Sequence, residues 1–287
     1  MLGNFIIGLR EGLEAALVVS ILVTYLVRTD RKPLIRFVSY GVGSAIVASV
    51  IVAIALQSIS SDLSEQIEPI FAGIVSFLAV GFVTWMIFWM KRTARTISGD
   101  LRKKLDSAAL GGAFSVSAMA FIAVAREGTE TAIFFWAAAH ATGQELASLV
   151  GLALGLGLAT LLGIAFYKST VKINLPAFFK STGILLTFVS AGVLTYAIHE
   201  FQEVSLLPGD SNVWINLSSV LTEGSLLSSV TAGLFNISAT TTGLEVIAWV
   251  IYVGIVLPLF LRKPKISVSS VSQATSHPEE VSASSSR

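Results

Sequence analysis

Two short stretches hold most of the charge found inside the apolar parts of this chain: Arg10-Glu11-Gly12-Leu13-Glu14 and Arg126-Glu127-Gly128-Thr129-Glu130. On a helix the arginine and the second glutamate stand four residues apart and the two glutamates three apart, so the second glutamate shares a face with both other charges. Carboxylates so arranged can hold a cation, relay a proton or lock two helices by buried ion pairs. Four glutamates against two arginines leave a net charge of −2 when all are ionised. A purely structural brace is expected closer to neutral, whereas surplus carboxylate makes room for a cation. Oxygen donors suit Mg, Ca, Mn and ferric iron. The chain has no cysteine and no histidine inside its apolar runs, which disfavours copper(I) and zinc.

The elements that must position these charges are membrane helices. The chain has 287 residues, 54% hydrophobic and 13% charged, with mean hydropathy +0.79, a balance that excludes an ordinary soluble domain. Seven apolar runs approach the length needed to cross a core about 30 Å thick: Phe5 to Val27, Phe37 to Leu56, Ile70 to Met90, Ala113 to Ala139, Ser148 to Tyr167, Thr182 to Ile198 and Thr242 to Leu261. The expected fold is all-α and polytopic. The seven-helix membrane domain is expected over residues 1–265, and residues 266–287 form a Ser-rich tail expected to be disordered and cytoplasmic.

Of 19 Lys and Arg, 17 fall in the loops after runs one, three and five or in the carboxy-terminal tail, and none in the alternate loops. By the positive-inside rule the amino terminus is outside and the carboxy terminus cytoplasmic. The two basic residues left over are Arg10 and Arg126. The outer loops carry only acids, among them Asp62, Glu65, Glu68, Glu200 and Glu203, a charge pattern that gathers cations.

Runs one to three map onto runs four to six, giving inverted repeats over about 1–90 and 108–199 and a seventh helix over about 242–261. Counted from the run ends, both motifs lie roughly 10 Å beneath the outer surface, at one level where they can line a common site. Gly12 and Gly128 allow close approach of a neighbouring helix. Gly151 and Gly155 in the fifth run predict close packing as well, and the tryptophans, including Trp85, Trp89 and Trp136, are expected mostly as interfacial anchors.

Paired R-E-x-x-E motifs in the first and fourth of seven membrane helices, with the amino terminus outside, resemble those of the oxidase-dependent iron transporter family, the ferric iron permeases. The length is similar to the bacterial EfeU-like branch, and the resemblance covers residue 1 to about 261. It implies a high-affinity permease, not an enzyme, in the plasma membrane, for bacteria the inner membrane. Iron would be the transported substrate, with no tightly bound cofactor, and would be imported as ferric iron after oxidation at the outer face. By that likeness Glu11, Glu14, Glu127 and Glu130 are ligands and Arg10 and Arg126 supporting charges. The implied partner, besides the bilayer, is an extracytoplasmic iron-oxidising protein, a multicopper oxidase or EfeO/EfeB-like proteins. An acidic pair in the last outer loop of the family is similar to Glu200 and Glu203, beside His199, and would receive iron from that partner. Asp62, Glu65 and Glu68 match less well, and Glu245 reads equally as a helix N-terminal charge favoured by the dipole. Import of another hard cation such as Mn or Mg, a proton relay and a structural subunit remain alternatives. No nucleotide-binding loop, no Glu-x-x-His pair in a membrane run and no nucleic-acid partner are expected.

Overall fold

A computed structural model describes residues 1–93, 111–168, 174–209, 213–216 and 240–262. The basic loop at 94–110, most of the segment between 210 and 239, and the tail from 263 onward, with the expectations attached to them, lie outside the described residues. The apolar runs form seven long helices: α1 (Leu2–Arg28), α2 (Ile35–Asp62), α3 (Glu68–Thr93), α4 (Gly112–Thr142), α5 (Glu145–Tyr167), α6 (Leu175–Glu203) and α7 (Gly243–Leu261), with a single 3-10 turn at Lys32–Leu34 before α2. Five of them, α2, α3, α5, α6 and α7, are long and apolar enough to cross a membrane. α1 and α4 are the two that carry a motif, and three charges within five residues lower their hydropathy.

The outward faces are greasy and the inside holds the charge. Val47, Ile51 and Ile54 of α2, Leu154 and Leu161 of α5, and Val250 and Ile255 of α7 are exposed, whereas Arg10, Glu11, Glu14 and Glu127 are buried. That reversal of the soluble pattern suits a chain surrounded by hydrocarbon, where polar groups must find partners within the bundle.

One departure from a wholly helical chain is a small antiparallel pair, β1 (Val213–Asn216) with β2 (Thr240–Thr242), leading into α7. Thr242 then caps α7, its hydroxyl accepting from the Glu245 amide at 3.4 Å, which satisfies one of the donors left open at a helix start. A second departure concerns Glu200 and Glu203, expected in a loop but found on the last turn of α6. The hydropathic run stops at Ile198, yet backbone hydrogen bonding continues through the polar turn.

The helices pair across the two halves of the chain: α1 lies along α5, α2 along α4 and α3 along α6, while α1 also crosses α4 and α7 packs on α6. Glycines allow the first two contacts. A Cβ on Gly12 would lie 2.8 Å from the Ala159 Cβ, and one on Gly8 2.7 Å from the Leu152 carbonyl oxygen. Gly155 packs on the Phe5 carbonyl and Gly151 on that of Met1. On the other seam Gly41 meets Ser117, and Gly128 meets the Ser49 hydroxyl.

This register corrects the expected depth of the motifs. Gly12 faces Leu156, the central residue of α5, and Gly128 faces Ser49, at the centre of α2. The motifs share one level, but it is the middle of their partner helices and not a level near one end. The reason is that α1 starts part-way down α5, with Met1 beside Gly151, so counting from the start of an apolar run underestimates depth.

Candidate metal centre

In the first motif, Arg10 is enclosed at 1% exposure and holds both glutamates of its own helix. One guanidinium nitrogen donates to Glu11 Oε1 at 2.7 Å and the other lies 2.9 Å from Glu14 Oε1. The first nitrogen also reaches the Met86 sulfur on α3 at 2.7 Å. Leu13, between the glutamates, is fully buried in the core with Ile7, Val83, Met86 and Phe134. Packing on that side therefore fixes the face that α1 turns to the site.

The second motif is arranged differently. Arg126 bonds Glu130 alone among its glutamates, Nε to Oε1 at 2.9 Å, and its guanidinium lies 4.7 Å from the centre of the Trp89 ring. Arg126 is 39% exposed and Glu130 18%. Glu127 is left without its own arginine and turns to the first motif instead. Among the described residues, Glu11, Glu14 and Glu127 offer carboxylate oxygens that all lie within 4.8 Å of one another, each buried. Glu11 Oε2, Glu127 Oε2 and, outside the trio, Glu130 Oε2 are buried and receive no protein hydrogen bond. Buried carboxylate oxygens are costly when unpaired, and three converging on one point can share a cation of the hard class. Glu130, grouped with them from the sequence, remains with Arg126 outside this trio.

The outer candidates fall at the junction of α6 with α7. His199 Nδ1 lies 3.1 Å from Glu245 Oε1, so Glu245 is both a first-turn acid of α7 and the partner of His199. The Tyr196 phenol lies beside the Glu200 carboxylate one helical turn on, and Glu68 and Glu203 lie near enough to act on the same phenol electrostatically. Gln202 ties the junction, accepting from the Thr242 hydroxyl at 3.0 Å and donating to the Pro208 carbonyl at 2.9 Å. Asp62 and Glu65 are exposed beside this end of α3 in sequence.

Met86 and Trp89 are site residues that the sequence alone did not reveal. Trp89, expected as an interfacial anchor, stacks on Arg126, and Trp136 is buried in the core against Phe71 and His140. Nothing in their spacing marks them; only the register of α3 against α1 and α4 does.

The model of the iron permease FTR1 family matches residues 1–273. A protein named ferrous iron permease EfeU from Escherichia coli O6:H1 is 35% identical over 269 residues, covering 93% of this chain and 97% of the relative. Proteins of the same name from Shigella sonnei, 34% identical, and Yersinia pestis, 35% identical, cover 93% of this chain and 97% and 95% of their own lengths. No solved structure matches. These relatives are permeases and not enzymes. The chain belongs to the iron permease FTR1 family, as a multi-pass inner-membrane permease.

Proposed function

We propose that this permease imports iron through the cluster of Glu11, Glu14 and Glu127. The observation that carries the reading is the convergence of three buried carboxylates, drawn from both motifs, within 4.8 Å. Two helices supply the ligands, so a small relative movement of α1 and α4 would make or break the set. Arg10 holds the two α1 carboxylates in place.

Charge favours a divalent cargo. With all groups ionised, Arg10 and the trio sum to −2, and the Arg126–Glu130 pair adds nothing, so ferrous iron leaves the centre neutral and ferric iron leaves it positive. The names of the relatives also say ferrous. We therefore favour ferrous passage over the ferric cargo expected from the family resemblance, with the oxidising partner belonging to the ferric alternative. Manganese and magnesium satisfy the same charge count and serve as competitors in the test.

Seven spans, an outer amino terminus and two inverted repeats complete the reading. The helix pairing supports the repeats, because exchanging α1, α2 and α3 for α4, α5 and α6 leaves the pairs α1–α5, α2–α4, α3–α6 and α1–α4 unchanged. Such symmetry fits alternating access around a central site. Ile7, Val80, Val83, Phe134, Ser190 and Val193 line a cavity without charged groups on the side of the trio toward the α1 amino terminus, where a hydrated cation gains no carboxylate ligand. We read that side as closed and the half-exposed Arg126 as marking the open one. Inward movement is favoured by the membrane potential, about 2.3 kcal/mol per charge per 100 mV. Glu200, Glu203 and His199, with Glu68 near them, would gather the cation first.

The test is initial-rate uptake of radiolabelled iron, held ferrous by ascorbate or supplied ferric, in iron-starved cells lacking their own permeases. Glu14→Gln and Glu127→Gln, at membrane abundance equal to wild type, are expected to fall to background. Equal uptake by all three would end the reading. Faster uptake of ferric iron would reverse the choice of cargo. Glu200→Ala with Glu203→Ala should slow uptake several-fold at limiting iron only; no change would remove the outer site.

A further inference from the structure

The two arginines of the motifs are held by one helix, α3, through Met86 and Trp89, and the two contacts have different consequences. Arg10, against the Met86 thioether, donates to its adjacent glutamate and forms an ion pair with the one four residues on. Its counterpart Arg126 lies over the Trp89 ring, bonds only the glutamate four residues on, and leaves the adjacent Glu127 free. The first motif demonstrates that an arginine can reach the neighbouring glutamate in this pattern. Something in the second prevents it, and the group in contact with the guanidinium is an indole. Trp89 is itself stacked on Trp85, with ring centres 6.3 Å apart.

We propose that Trp89 is a positioning residue that holds Arg126 on Glu130 and away from Glu127, keeping three carboxylates open to the transported cation. This rests on the reading that the trio binds the cargo. Two physical arguments support it. A half-exposed guanidinium at the mid-level of the bundle is costly unless a π face or an anion covers it, and indole is the best of the aromatic faces for a cation. In addition, a cation entering the trio meets repulsion from any guanidinium that shares its ligands. An Arg126 that shifted onto Glu127 would both neutralise the third carboxylate and compete for its oxygens. Stacking confines the charge to the side where Glu130 balances it.

The experiment is concentration-dependent ferrous uptake by the full-length permease in cells, with membrane abundance measured for every variant. Trp89→Leu is expected to raise KM roughly tenfold with Vmax retained, because a cation–π contact of about 1 to 2 kcal/mol is lost. Trp89→Phe, which keeps a π face, should restore most of the affinity. In an Arg126→Gln background, Trp89→Leu should change KM no further, since the guanidinium it restrains is gone. A rise in KM of equal size in that background would assign Trp89 a packing role and overturn the proposal, as would an unchanged KM for Trp89→Leu. Should Trp89→Leu fail to reach the membrane, Trp89→Met, with bulk but no π face, carries the same test. If Glu127→Gln transports like wild type, the cargo reading falls and the Trp89 role with it; if Glu127→Gln is dead and Trp89→Leu is normal, only the Trp89 role falls.

Discussion

Arg10 is sealed in the bundle and bridges both glutamates of its motif, while Arg126, with the same neighbours in sequence, is half exposed and bridges one. The difference teaches that a repeated motif need not be a repeated site. The first copy is a braced pair of carboxylates whose arginine is part of the core. The second copy divides its glutamates, sending Glu127 across to the first motif and keeping Glu130 with Arg126. A centre of this kind has a fixed half on α1 and an adjustable half on α4, which suits a site that must take up a cation and let it go.

The sharpest way to break the comparison is to remove each arginine. Arg10→Gln leaves two buried carboxylates without a counter-charge, and loss of one partner of a buried ion pair costs about 3–5 kcal/mol. A large fall in the melting temperature of the purified protein in detergent, or failure to accumulate in the membrane, is expected. Arg126→Gln removes a partly solvated pair worth about 1 kcal/mol or less, so thermal stability should change little. Equal losses for the two variants would mean that the contrast in burial has no energetic meaning.

The glutamates of the second motif sharpen it further. Glu127 belongs to the trio and Glu130 does not. Glu127→Gln should therefore abolish saturable uptake, whereas Glu130→Gln should keep a measurable Vmax with a raised KM, because it frees Arg126 to approach Glu127. If both variants are equally dead, all four glutamates act as one ligand set, as the family resemblance implies.

The parts of this arrangement that were legible in the sequence are those set by gross free energy. Charges inside apolar runs are too costly to be idle, so Glu11, Glu14, Glu127 and Glu130 stood out together, and hydropathy alone located all seven helices, although α6 starts seven residues before its run and α2 ends six residues after its own. What was not legible depends on register. The depth of the site follows from Met1 sitting beside Gly151, a matter of how two helices slide, which no composition records. The division between Glu127 and Glu130 depends on Trp89 arriving from another helix, so the motif itself could not reveal it. The helical turn bearing Glu200 and Glu203 escaped because polarity ends a hydropathic run before it ends a helix.

The smallest contrast concerns the two motif glycines. A methyl on Gly12 would press on the Ala159 Cβ at 2.8 Å and on Leu156, in a seam where the neighbouring backbones also touch. The Ala159 Cβ cannot rotate away, and overpacking of this kind costs about 1–3 kcal/mol. A methyl on Gly128 would press on the Ser49 Cβ at the same 2.8 Å and on its hydroxyl; the hydroxyl can turn aside at the loss of its bond to the Ala45 carbonyl, 2.8 Å long, but the Cβ cannot. That bond is worth about 1 kcal/mol, and replacing glycine by alanine within a helix returns about the same amount. Gly12→Ala and Gly128→Ala are therefore both expected to lower the melting temperature by several degrees, because each seam meets the new methyl with a Cβ at 2.8 Å. A loss for Gly12→Ala alone would show that the α2–α4 seam yields where the α1–α5 seam does not, as an adjustable α4 requires; a loss for Gly128→Ala alone would show that the fixed and adjustable motifs have been assigned the wrong way round.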